Sequence, residues 1–276
     1  MAISSFAGVS LEKPIIMGIV NVTPDSFSDG GIYFDHKKAV EHGQKLWHAG
    51  ARIIDIGGES TRPGSLSVPP EEQIRRIIPV VKELANCGIR ISVDTTHSQV
   101  MEVALECGAQ IINDISALSF DPKSFLIIQK YQASVILMHM RGNPLTMQQN
   151  PFYENVCNDV FFYLEERINF CREHNIELEK IAIDPGIGFG KTTNHDLSLI
   201  AHLDIFTKLK VPIVIGVSRK KFIGFLSNNV PPDQRLAGSL IANLKAWIRG
   251  AHIFRVHDVQ ETIQAFSLWN SLSNAL

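Results

Sequence analysis

Eight short apolar runs recur along the 276 residues, and nearly every one ends on a polar or charged residue. They lie at 15–22 (with Asn21), 53–58 (Asp55), 91–95 (Asp94), 111–116 (Asn113, Asp114), 135–139, 181–186 (Asp184), 213–218 and 253–258 (Arg255, His257). Stretches of helical period separate them, so the chain reads as βα repeated eight times. Eight parallel strands alternating with helices close most naturally into a (β/α)8 TIM barrel. In such a barrel the carboxyl ends of all strands face one mouth. Asn21, Asp94, Asn113, Asp184, Lys220, Arg255 and His257, distant in sequence, are then expected to be neighbours in space.

The length suits one such barrel, and the 45% hydrophobic content supplies a core for it, so residues 1–276 are read as a single domain. A formal charge of -2 and the lack of any long run of like charge give no pull toward nucleic acid or an anionic membrane. Cys87, Cys107, Cys157 and Cys171 show neither a CxxC pair nor zinc spacing and read as reduced packing thiols. No charged amino-terminal segment leads an apolar stretch, and no run approaches a membrane span, so a cytoplasmic protein is expected.

Helices are legible from their apolar faces: Ile74, Ile77, Ile78, Val81 and Leu84 in one, Val156, Val160, Leu164, Ile168 and Cys171 in another. Pro70 with Glu71 and Glu72 marks a helix start, and Gly50, Gly88, Gly108 and Gly250 mark helix stops ahead of strands. The connections at 23–35, 57–70 and 140–152 are long and rich in Gly, Pro, Ser, Asp and Asn. Loops of that kind at the carboxyl end of a barrel serve as lids or as plain exposed connections, and both readings stand for the first two.

Arg255 and His257 alternate across Val256, so a strand puts both on one face and offers a phosphate several donors. Ser218, Arg219 and Lys220 stand where the seventh strand passes into a helix, where free backbone N–H groups add positive potential. Barrels commonly seat a phosphate at the loops after strands seven and eight. Asp94 and Asp184 each follow apolar residues and need donors. A guanine-like or pterin-like ring, with an amino group beside a ring N–H, would supply two in parallel; internal pairing with Arg or Lys would serve equally. A ring cage, an anion clamp and two candidate lids suggest a substrate with a heterocycle at one end and phosphates at the other. No serine or cysteine nucleophile motif and no phosphate-binding glycine loop follows a strand, which favours phosphate as leaving group over a nucleotide-dependent kinase.

The segments MGIVNVTPDSFSDGG (17–31) and GGESTRPG (57–64) closely resemble the two signatures of the dihydropteroate synthase family. The similarity continues in order through SVDT (92–95), IND (112–114), LMHM (137–140), GNP (142–144), DPGIGFGK (184–191), SRK (218–220) and RVHD (255–258). The resemblance implies the same barrel and a transferase of folate biosynthesis. That enzyme joins 6-hydroxymethyl-7,8-dihydropterin pyrophosphate to 4-aminobenzoate, releasing pyrophosphate, and is the target of sulfonamides. By the resemblance, Asp94, Asn113, Met138, Asp184, Gly216 and Lys220 hold the pterin. Asn21, Arg62, Arg255 and His257 hold the pyrophosphate, with Asn21 on a bridging Mg2+. Phe27, Thr61, Pro63, Phe189 and Ser218 shape the aminobenzoate site, and Lys221, where some relatives carry serine, or helix N–H groups would meet its carboxylate. The catalytic set is Arg62, Asp94, Asp184, Lys220, Arg255 and His257. A homodimer is also implied, and Phe266, Leu268 and Trp269 on the last helix are its candidate surface. Two alternatives remain at this level, a pterin-dependent methyltransferase on a related barrel and a non-catalytic pterin-binding paralogue.

Overall fold

A computed structural model describes residues 4–23, 31–60 and 64–275. A two-stranded hairpin, β1 (Ser5–Phe6) and β2 (Val9–Ser10), comes first. The barrel strands follow: β3 (Ile15–Asn21), β4 (Ile53–Gly57), β5 (Ile91–Asp94), β6 (Ile111–Asp114), β7 (Ser134–Met138), β8 (Ile181–Asp184), β9 (Val214–Ile215) and β10 (Ile253–Val256). The order β8-β7-β6-β5-β4-β3-β10-β9 is parallel throughout, and a bridge between Ile183 and Ile213 closes β8 onto β9. Around it run α1 (Gly31–His48), α2 (Pro70–Asn86), α3 (Ser98–Glu106), α4 (Ser124–Tyr131), α5 (Val156–Glu173), α6 (Thr193–Ala201), α7 (Lys221–Leu226), α8 (Leu236–Ile248) and α9 (Val259–Ser273). The barrel is the one expected.

The period of two sorts every strand into an outer and an inner set. Ile54, Ile56, Ile91, Val93, Ile112, Val135, Leu137, Ile181, Ile183, Ile215 and Val256 pack outward beneath the helices. Ile15, Met17, Ile53, Ile111, Ile136, Ala182, Val214 and Ile253 form a second core inside the barrel near the strand starts. Two residues further along each strand, the inner face carries Ile19, Asp55, Asn113, Met138, Asp184, Gly216 and Arg255, with Asp94 two residues beyond Ser92. The apolar layer fills the floor of the barrel and the polar layer above it faces the mouth.

Phe6 and Val9 belong to the inner core, so the hairpin plugs the amino-terminal end of the barrel. Its turn has Ala7 and Gly8 both at positive φ, the geometry of a tight two-residue hairpin turn. No periodicity in the sequence marks this segment.

Gly50, Gly88, Gly108 and Gly250 follow α1, α2, α3 and α8 in the left-handed conformation, as their helix-stop reading requires. Two differences from expectation stand out. The backbone of α1 begins at Gly31, so the first connection is shorter than 23–35. Regular pairing of the seventh barrel strand stops at Ile215, because the chain turns from Val217 into a left-handed Arg219. The connection at 140–152 is a fastened loop: Asn143 Oδ1 accepts the N–H groups of Leu145 and Thr146, Met147 is buried, and Gln148 donates to the Gly188 carbonyl.

Candidate active site

Strand parity and register bring the inner carboxylates, amide and cations to one cavity at the carboxyl end of the barrel. Asp94, Asn113, Met138, Asp184, Gly216 and Lys220, the six residues matched to a pterin, all line it. So do Phe189, Ser218, Arg255 and His257. Ile19, Ile115 and Ile187 complete the wall with apolar surface that the sequence reading did not single out. Asn21 stands at the end of β3 beside Gly57, where an added Cβ would meet Asn21 Oδ1 at 3.6 Å and Asp94 Cβ at 3.7 Å. Gly216 leaves open the space toward Asp184 Oδ2 and Arg255, into which a side chain there would project. Lys221 is exposed on the first residue of α7 and is not part of the cavity wall. Phe27, Thr61, Arg62 and Pro63 lie outside the described residues.

Arg255 is the hub. Its Nε donates to Asp55 Oδ2 at 2.6 Å and its Nη2 to Asp94 Oδ2 at 2.9 Å. Asn113 Nδ2 donates to the same Asp55 oxygen at 3.2 Å. Of the two readings left open for Asp94, internal pairing is present, with one oxygen serving Arg255, and the residue also lines the cavity. Asp184 makes no side-chain ion pair among the described residues, and its Oδ1 accepts the Gly186 N–H at 2.7 Å. It is the freer of the two carboxylates for a ligand.

Burial governs the protonation of these groups. It pushes the Asp94 carboxyl up, an effect that Arg255 opposes and Asp55 reinforces. It also pushes Asp184 up, against the Gly186 N–H and the Lys220 charge. Lys220 is brought down to about 8 by burial, with Asp184 opposing the shift. Its ammonium lies 4.1 Å from the centre of the Phe189 ring, a cation–π contact that fixes both on one wall.

At the other wall, Ser218 Oγ and His257 Nδ1 are 3.0 Å apart and the His257 N–H donates to the same hydroxyl. The anion side differs from expectation in one respect. Arg219 N–H donates to Ser239 Oγ and Lys220 N–H to the Val217 carbonyl, so those backbone donors are not free for a phosphate. The Arg219 guanidinium turns away to pair with both oxygens of Asp258. The cationic side chains at this mouth, among the described residues, are thus Lys220 and Arg255 beside His257.

Beneath Phe189 the glycine loop is locked from inside. Gly186, Gly188 and Gly190 all have positive φ, and a Cβ on Gly186 would fall 1.9 Å from the His139 carbonyl oxygen. The buried Lys191 ammonium donates to His139 Nδ1 and to the Phe189 carbonyl, each at 3.0 Å. Burial, then Lys191, drives the His139 imidazole down to about 2, so it stays neutral and accepts. Asp55 and Lys191 are the polar side chains that the sequence reading left out of the site. Asp55 had a visible signal, a carboxylate at an inner position of an otherwise apolar strand.

A barrel whose mouth joins two cavity-lining carboxylates and an amide to lysine, arginine and histidine fits the class of pterin-binding enzymes. The family described as "Pterin binding enzyme" matches residues 17–257, and the chain belongs to it. Within that class its similarity is to the dihydropteroate synthases. The Escherichia coli (strain K12) dihydropteroate synthase is 47% identical over 258 residues, covering 93% of this chain and 91% of that one. The Xanthomonas albilineans enzyme solved with 4-aminobenzoic acid superimposes with a TM-score of 0.91 at 44% identity, covering 96% and 95% of the two chains. The same organism's enzyme in complex with 7,8-dihydropteroate gives a TM-score of 0.87 at 41% identity, covering 96% of each chain.

Proposed function

We infer that this chain carries out the dihydropteroate synthase reaction, condensing 6-hydroxymethyl-7,8-dihydropterin pyrophosphate with 4-aminobenzoate to give 7,8-dihydropteroate and pyrophosphate. The observation that carries it is the convergence of all six pterin-matched residues on one cavity, in a chain similar to named dihydropteroate synthases over nearly its whole length. Neither a corrinoid-linked methyltransferase nor a non-catalytic paralogue is favoured by those relatives, and the retained Lys220, Arg255 and His257 speak for pyrophosphate chemistry.

The ring's amino group and ring N–H meet Asp184, with Asn113 and Asp94 on the adjoining wall. Met138 and Gly216 bound the slot, and Lys220 supplies a donor. The methylene C–O bond breaks with its electron pair leaving on pyrophosphate, whose growing charge Arg62, Arg255 and His257 stabilise. Asp94 and Asp184 stabilise the positive charge left on the pterin. The arylamine nitrogen then forms the C–N bond and loses a proton to solvent; its free lone pair needs no strong general base. Phe27, Thr61, Pro63, Phe189 and Ser218 shape the aminobenzoate site, and Lys221 is the candidate for its carboxylate. Closure of the first two connections keeps water from the cation.

Among the described residues no group of three His, Cys, Asp or Glu could hold a resident metal ion. The residues would instead suit a Mg2+ carried in on the pyrophosphate, which Asn21 would help to hold, since this ion commonly keeps its waters and phosphate oxygens. It would neutralise leaving-group charge. The whole chain, 1–276, acts as one cytoplasmic domain; among the described residues no helix is long and apolar enough to cross a membrane. The partners are these small substrates and a second copy of the chain. For the homodimer, Phe266 does not serve: it is buried against Phe254 and Trp247. Leu268 and Leu272 of α9, Ile241 and Ile248 of α8 and Phe225 of α7 are exposed and supply the apolar surface. Light scattering at micromolar concentration is expected to give twice the 30.7 kDa chain mass, and a monomer refutes the dimer. The reaction is tested by incubating purified protein with both substrates and Mg2+ and following dihydropteroate; no product would overturn it.

A further inference from the structure

We propose that Asp55 is a positioning residue that tempers the charge of Arg255, favouring the pterin over the departing pyrophosphate; the proposal rests on the functional reading above. Asp55 is fully buried in the inner polar layer, and it is absent from the cavity wall itself. Its Oδ2 accepts both Arg255 Nε at 2.6 Å and Asn113 Nδ2 at 3.2 Å. One oxygen therefore orients an anion-matched residue and a pterin-matched residue together. Its Oδ1 is buried and has no hydrogen-bond partner among the described residues, and neither has the hydroxyl of Ser92, its register neighbour on β5. A carboxylate kept in such a place is costly unless its charge is matched. The match is the Arg255 guanidinium, which Asp94 also approaches.

One guanidinium lies between two carboxylates, so the field it projects into the cavity is largely cancelled before any phosphate arrives. Two of its five N–H donors are committed to Asp55 and Asp94. An uncompensated arginine here would hold free pyrophosphate, the product, as firmly as it holds the leaving group in the reaction. Balanced by Asp55, it holds pyrophosphate less firmly at every stage and so releases the product more readily. At the same time Asp55 keeps the Asn113 amide oriented for the ring.

The two roles have opposite signatures, which separates them from a generally structural one. Asp55→Asn removes the charge while keeping the shape. It is expected to bind pyrophosphate with Mg2+ at least about fivefold more tightly than the native chain, because Arg255 regains its charge. The same variant is expected to bind 6-hydroxymethylpterin at least about threefold more weakly, because Asn113 loses a charge-assisted bond. Asp55→Ser, which makes room for a water on Arg255, is expected to shift both in the same directions. Calorimetry with each ligand reads both effects, with circular dichroism as the check on folding. Weakening of both ligands together, no change in pyrophosphate affinity, or failure of both variants to fold would each overturn the proposal. Native protein that binds neither ligand would overturn the functional reading and this proposal with it. Native binding of both without the opposed shifts would overturn the proposal alone.

Discussion

Replacing Asp184 with Asn isolates the charge of one carboxylate at almost constant shape. In the native chain Oδ1 is occupied by the Gly186 N–H at 2.7 Å, and Oδ2 lies on the Gly216 side of the slot. Asparagine can keep the first contact through its own Oδ1. Its Nδ2 would then stand where Oδ2 stood and present a donor to a ring edge that also donates. A charge-assisted hydrogen bond contributes about 1.5–3 kcal/mol. Losing one weakens pterin binding roughly 10- to 150-fold, since every 1.4 kcal/mol is about tenfold. Stability should move the other way. Burial raises the Asp184 carboxyl above its unfolded value, so the native state binds its proton more tightly than the unfolded chain does. The native carboxylate therefore costs stability above the folded pKa, and that cost disappears as pH falls below the unfolded value. Asp184→Asn removes the cost, so its melting temperature at neutral pH should equal or exceed the native one. Titration calorimetry with 6-hydroxymethylpterin and thermal unfolding decide the matter together. Unchanged pterin affinity, or a loss of affinity accompanied by a lowered melting temperature, refutes the reasoning.

Three further outcomes are expected. Lys220, brought down to about 8 by burial, is charged below that pH and loses its proton as pH rises through it; turnover should fall on the alkaline side near there, and Lys220→Arg should flatten that limb in a pH–rate profile. Gly186→Ala places a methyl 1.9 Å from the His139 carbonyl at a φ of +69°; a loss of about 3 kcal/mol or more is expected in denaturant unfolding, and a stable variant would refute the lock. For the lids, 4-aminobenzoate should bind at least about tenfold more tightly with pyrophosphate, Mg2+ and a pterin present than alone; Arg62→Ala should remove most of that gain, and equal affinities would favour a preformed pocket.

The barrel was legible because its signal is repeated eight times. Apolar runs of strand length, glycines after helices and a proline-acid start at Pro70 are local facts, and all but the end of the seventh run coincide with the backbone's elements. The hairpin that plugs the barrel floor was not legible, since two-residue strands have no periodicity to read and Phe6 acquires meaning only from Ile15, Met17 and Ile253 around it. The same limit applies to the anion side. Ser-Arg-Lys at a strand end looks like three positive or donating groups in a row, yet a left-handed Arg219 sends that guanidinium to Asp258 and gives its N–H to Ser239.

Strand parity makes the residues of the site legible but not the balance of charge among them. Period two puts Arg255 with His257 and leaves Asp55 in step with Ile53, all readable along a single strand. What it cannot supply is the offset between strands, and the site's electrostatics depend on that offset. Arg255 is in register with Met17, Ile19 with Asp55, and Gly57 with Asp94. That stagger sets the guanidinium at the level of both carboxylates, 200 residues from one and 161 from the other. A chain with the same residues and a barrel slipped by two positions would keep every motif and lose the pairing. The donors and acceptors of the site are written in the runs, while the charge each shows to a ligand is fixed only when the barrel closes.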